Sequence, residues 1–330
     1  MSDFIFFTTT IIKCILVLAV FAALPGFATF LERKALARIH RRVGPDMVGP
    51  SGVLQIVPDM IKLFTKEDIT PYLANSKVFK FAPLISTICV FMAFAAVPLF
   101  PEFKLFGYVI KPIIADVNIA VLYIAGCSSI CTYAIFLGGM ASYNKYALLG
   151  GARALVSIIS YESISGLCLL AIVLLTGSMS LVDVNNYQHG GILSWLVFKQ
   201  PIAFVLFTIA IFIETNRTPL CLAENDPELV AGYGTEYSGL RWGMFFIGEY
   251  ASMMLGAILI NLLFLGGYND FYFIPGAIAM FLKVCLIFSG YFWARGAFPH
   301  LRADQVMRTC YLILLPLACI NLIVTALLAL

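Results

Sequence analysis

Long, almost uninterrupted apolar runs alternate with short polar connections along the whole chain. The runs fall at roughly 9–31, 81–100, 118–139, 153–176, 196–213, 243–265, 276–294 and 309–328. Each is near the ~20 residues that a ~30 Å hydrocarbon core demands of an α-helix. They are continuous, whereas a β-barrel would show alternating segments of about ten residues. The pattern predicts an all-α integral membrane protein, a single polytopic domain over 1–330 with about eight transmembrane helices.

Two connections break this rhythm. In the first, 32–80, Val53, Ile56, Val57, Met60, Ile61, Leu63 and Phe64 recur at helical spacing while Gln55, Asp59, Lys62 and Lys66 fall elsewhere. A helix with one apolar and one charged face lies in the membrane interface rather than crossing it. Pro58 is expected to kink that helix or to mark its real start. Such an element is either a surface anchor or, with the first span, the frame of a lateral opening for a lipid-soluble ligand. The second, 214–242, gathers Glu214, Glu224, Asp226, Glu228 and Glu236 in a chain with only 18 acidic residues among 330.

Composition agrees with the pattern: 61% of residues are hydrophobic and 12% charged, with a mean hydropathy of +0.95. A soluble domain is about half apolar and a quarter charged. Most of the 21 Lys and Arg residues fall in alternate connections. The positive-inside rule therefore places those connections in the cytoplasm and both termini outside. Asn216-Arg217-Thr218 then never meets a lumen and is not a glycosylation site. The basic residues Arg33, Lys34, Arg38, Arg41 and Arg42 follow the first span, the reverse of a secretory signal.

Charged groups inside the spans are costly and mark proton, ion or ligand paths. Glu162, Glu249 and Lys283 lie within spans and Asp116 borders one. The glutamates are candidate proton carriers, or else structural partners of Lys283 or Arg153. Gly248, Ser252 and Gly256 form a row of small residues suited to close helix packing. The nine cysteines are scattered, without a C-x-x-C pair, and the histidines, His40, His189 and His300, all fall in connections. Cys127 and Cys131, one turn apart, read as packing residues. Haem, flavin and iron–sulfur clusters are therefore expected on partners, and no complete active site or nucleotide site is expected here.

Several motifs together carry a resemblance. Glu32-Arg33-Lys34, Arg41-Arg42-Val43-Gly44-Pro45 and Lys62-Leu63-Phe64-Thr65-Lys66-Glu67 stand in the first connection. Asn144-Lys145-Tyr146, Ser160-Tyr161-Glu162, Glu214-Thr215-Asn216-Arg217-Thr218-Pro219, Glu228-Leu229-Val230-Ala231-Gly232-Tyr233, Gly248-Glu249-Tyr250 and Asp304-Gln305-Val306-Met307 follow in order. The chain resembles the quinone-site membrane component of respiratory complex I in its bacterial, epsilonproteobacterial form. Leu220-Cys221, Pro227, Met140 and Ser157 depart from the family pattern.

The resemblance implies a place in the bacterial inner membrane, at the heel of the membrane arm of a proton-pumping NADH:quinone oxidoreductase. There the chain would meet the iron–sulfur and quinone-site subunits of the hydrophilic arm, adjacent small membrane subunits and lipid, and no nucleic acid. Ubiquinone or menaquinone would be the substrate. Glutamates matching Glu162, Glu214, Glu224, Glu228 and Glu249, with Asp226 in place of a Glu, would relay protons or charge out of the quinone chamber. Arg33, Arg38, Arg42 and Arg217, with Phe64, would lie near the chamber or its access. A membrane anchor of a related hydrogenase and a stand-alone secondary transporter are the alternatives. A transporter usually shows two related halves, and no internal repeat is evident.

Overall fold

The computed structural model describes residues 2–101, 103–105, 108–110, 113–222, 229–270 and 274–329. Its helices are α1 (Ser2–Ile39), α2 (Ile56–Thr65), α3 (Ser76–Phe94), α4 (Ala120–Ala141), α5 (Lys145–Thr176), α6 (Leu181–Tyr187), α7 (Pro201–Glu214), α8 (Gly239–Phe264), α9 (Gly276–Ala297) and a last, α-π-α run α10 (Ala303–Leu328). Among the described residues, six of them, α3, α4, α5, α8, α9 and α10, are long and apolar enough to cross a bilayer. The all-α membrane class holds. The predicted spans at 9–31 and 196–213 fall on α1 and α7, and α7 has only 14 residues. That is ~21 Å of helix, short of a ~30 Å core. The interval 101–117 carries a small antiparallel hairpin, with Phe103 opposite Ile110, that the hydrophobic pattern did not signal.

Pro58 marks a start rather than a kink. It is the third residue of α2, within the first turn, where its missing N–H would find no intrahelical acceptor anyway. None of the α2 residues is fully buried within this chain, and Ile56, Met60 and Leu63 face α1 and α8.

Helix ends follow local chemistry. The Asn144 side chain accepts from the Tyr146 N–H at 3.0 Å to open α5, and Gly177, with φ +71°, closes it. The core lies where α5, α7 and α8 meet, with Tyr161, Ile164 and Ile172 packed among Leu206, Phe207, Ile211, Leu255 and Ile258. The small-residue row on α8 packs closely, as expected. A Cβ on Gly248 would lie 3.1 Å from Ser86 Oγ, and one on Gly256 only 2.3 Å from an Ile211 methyl.

The basic and acidic connections gather at one end. Arg241 pairs with Asp68 at 2.7 Å, Asn144 donates to Glu236 at 2.7 Å, and Leu301 N–H bonds Pro219 O. Tyr237 stacks on Phe79 at 4.1 Å and donates to Phe79 O at 3.2 Å. Burial pushes its phenol well above the ordinary range, so it remains a neutral donor at physiological pH. At the opposite end the Gln188 amide donates to Leu262 O at 2.9 Å, and its Oε1 accepts from Gly266 N–H at 2.9 Å and Leu196 N–H at 3.3 Å. Lys283 also lies there. Its ammonium donates to Leu265 O and Gly267 O and sits 4.4 Å from the Trp195 ring centre. These bonds go to carbonyls that end α8, not to a glutamate.

Candidate functional site

Five helices bring polar groups to or beside one interior volume. On α4, Ser128, Cys131 and Thr132 follow at helical spacing and share a face. Thr132 donates to Glu162 Oε1, from α5, at 3.4 Å. Glu214 ends α7, within hydrogen-bonding reach of Ser128 and electrostatic reach of Glu162. From α8 comes Glu249, whose Oε1 accepts a 2.5 Å hydrogen bond from Tyr233 Oη. Ser86 of α3 completes the wall, its Oγ 3.3 Å from Cys131 Sγ. Glu214, Glu249, Ser86, Ser128, Cys131 and Thr132 line a cavity with about 70 Å³ of room for water centres. One water needs only ~10–15 Å³ on that measure, so several fit. Glu214 and Glu249 open onto this internal space, and Glu162 reaches its wall through Thr132.

Beside the cavity is a cluster of opposite charges. Asn216 adopts φ +49°, a left-handed conformation that Asn tolerates better than most residues. The chain then delivers Arg217 to α1, where its Nη1 lies 3.3 Å from each oxygen of Glu32. Both side chains are nearly out of solvent, 8% and 3% exposed. Arg295, from α9, also donates to Glu32. The Arg217 guanidinium sits 3.9 Å above the Tyr250 ring, and its charge reaches Glu249.

A second cavity, of about 150 Å³, lies between α1, α2 and α8. Its walls include Pro25, Gly26, Met60, Leu63, Phe246 and Tyr250, with Arg33 and Asp59 paired at 2.7 Å at the rim. Trp242, Phe246 and Tyr250 form an aromatic ladder at four-residue spacing along α8, with ring centres 4.9 and 4.7 Å apart. Glu249 thus faces one cavity and its neighbour Tyr250 the other.

Of the residues singled out in the sequence, Glu162, Glu214 and Glu249 come together, with Arg217 adjacent and Arg33 at the rim of the second cavity. Arg38 and Arg42 are exposed at the end of α1 and just beyond, and line neither cavity. Phe64 is 69% exposed and also lines neither. Glu224, Asp226 and Glu228, with Pro227, lie outside the described residues. Asp116 is exposed. Sequence reasoning missed the pairing of Glu32, the Tyr233 contact and the aromatic ladder. The spacing of Trp242, Phe246 and Tyr250 was the signal for the ladder. A lone acid heading a basic run was the signal for Glu32. Among the described residues no cluster of three or more His, Cys, Asp or Glu could hold a metal ion.

Fold and site define a multi-pass α-helical membrane protein with carboxylates held in its interior. Residues 12–326 match the NADH dehydrogenase family. The chain is 66% identical over 328 residues to the H subunit of NADH-quinone oxidoreductase from Campylobacter jejuni serotype O:2, covering 99% of each. It is 58% identical over 326 residues to the corresponding protein of Campylobacter concisus, covering 98% of each, and 55% identical over 327 residues to that of Campylobacter hominis, covering 99% of each. The chain belongs to this family, and is a membrane component of the multisubunit NADH-quinone oxidoreductase, respiratory complex I.

Proposed function

We propose that this protein forms part of the quinone chamber and carries protons or charge from it through Glu162, Glu214 and Glu249. One observation carries the reading: Glu214 and Glu249, from two helices, line one hydroxyl-lined volume beside an arginine cluster, and Glu162 of a third helix accepts from Thr132 in its wall. Two-electron reduction of a quinone takes up two protons to give the quinol. The electrons would come from a partner subunit of the complex. Carboxyls in low-dielectric surroundings exchange protons in response to nearby charge. Charge arriving on the quinone would therefore draw protons through the acid cavity. Glu224, Asp226 and Glu228 belong to the proposed relay through the family resemblance alone.

The second cavity is the proposed route for the quinone from lipid. Its aromatic ladder suits a flat headgroup and apolar tail, and the exposed residues of α2 support an opening toward lipid. Arg33 acts at this rim, and Arg217 at the junction of the two cavities. Arg38, Arg42 and the exposed connections would meet the hydrophilic arm, the apolar helix faces would meet neighbouring membrane subunits and lipid, and both termini would lie on the periplasmic side of the inner membrane. Glu162→Gln or Glu249→Gln is expected to abolish coupled quinone reduction in a complex that still assembles. Full turnover with intact proton translocation in both variants would refute the assignment.

A further inference from the structure

Tyr291 of α9 is 4% exposed, with its ring packed 5.0 Å from Phe212 and 6.3 Å from Phe288. Its Oη is buried and has no hydrogen-bond partner among the described residues. A buried hydroxyl left unpaired is unfavourable, and buried tyrosines usually find a partner for it. The surroundings indicate where that partner lies. A Cβ added to Gly256 would come 3.7 Å from Tyr291 Oη, so at this point only a glycine stands between the phenol and α8. Gly256 lines the acid cavity together with Ile211 and Glu214, and the Glu214 carboxyl is within electrostatic reach of the phenol. One turn further along the same face of α9, Arg295 pairs with Glu32. Tyr291 therefore sits between the acid cavity and the arginine cluster.

We propose that Tyr291 Oη holds a water molecule that bonds the Glu214 carboxyl past Gly256, making the phenol a positioning residue of the proton relay. This rests on the relay proposed above. The site takes water or its protonated form, since the cavity has room for several such molecules and its lining supplies hydroxyl and carboxyl oxygens. The phenol donates to the water, the water donates to Glu214, and no bond to carbon is made or broken. A helix that gives no carboxyl to the cavity is thereby tied to its protonation.

The test compares Tyr291→Phe, Glu214→Gln and the unaltered chain, each in the intact complex. Redox-induced infrared difference spectra identify the Glu214 carboxyl band by its loss in Glu214→Gln. In Tyr291→Phe that band is expected to persist but move to higher frequency, with coupled turnover reduced about fivefold to tenfold. An unmoved band with full turnover, or a Tyr291→Phe complex that merely gains heat stability, overturns the proposal while leaving the relay intact. Full coupled turnover in Glu214→Gln overturns the relay itself. Should Tyr291→Phe fail to assemble, a density map of the unaltered complex that resolves waters decides the matter. Water density bridging Tyr291 Oη and Glu214 supports the proposal, and its absence there overturns it.

Discussion

Glu32→Gln is expected to be far more damaging than the loss of one surface charge. Glu32 is 3% exposed and accepts from both Arg217 and Arg295. Breaking a buried ion pair by removing one partner costs about 3–5 kcal/mol, because the other charge is left uncompensated. Here one substitution removes the anion that two guanidinium groups share, so the upper figure, about 5 kcal/mol, applies. Arg217→Met leaves Glu32 with Arg295 and is expected to cost about 3 kcal/mol. The two effects should not add, since the second substitution removes one of the cations that the first has deprived of Glu32. Additive behaviour would give about 8 kcal/mol, whereas the double variant is expected near 5, a coupling of about 3 kcal/mol. The assay is the temperature of half-inactivation of quinone reduction in the purified complex, with assembly followed on native gels. At about 2 °C per kcal/mol, Glu32→Gln should lower that temperature by roughly 10 °C, with little further loss in the double variant. A double variant that falls by the sum of the singles would refute the account of a shared anion.

Two further outcomes follow from the loop and the rim. Gly52 has φ +78°, and a Cβ there would come 2.1 Å from Pro45 O, so Gly52→Ala should force the connection before α2 to shift and reduce assembled complex severalfold on native gels; unchanged assembly would contradict this. Arg33 and Asp59 are exposed enough that their pairing is worth only about 0–1 kcal/mol. Asp59→Asn should therefore leave heat stability unchanged while altering the KM for a quinone analogue, and an unchanged KM would remove the rim from the proposed access route.

Much of the architecture was legible because lipid imposes so simple a rule. Backbone polar groups in hydrocarbon must be satisfied within the helix, so length and apolarity suffice to find most crossings. The amphipathic α2 was also legible as a helix, since there a charged face opposes an apolar one. Helix rotation was not. A run such as α4 is apolar on every side, and nothing in its periodicity says that Ser128 and Thr132 turn toward Glu214 and Glu162. Lys283 shows the same limit. Its depth in a span suggested a glutamate partner, but it meets carbonyls at the end of α8, on the far side of the bundle from the acidic connection. Glu162, Glu214 and Glu249 could be singled out one by one, as charges in costly places. That two of them line one cavity and Glu162 stands behind its Thr132 wall depends on how α5, α7 and α8 pack across long stretches of sequence, which no local pattern encodes.

The Gln188 amide fastens the backbones of α8, the turn after it and the segment leading into α7 with a single side chain. Losing that one amide would untie three stretches of backbone together, so a change at Gln188 should loosen the end of α8 and the approach to α7 as a unit.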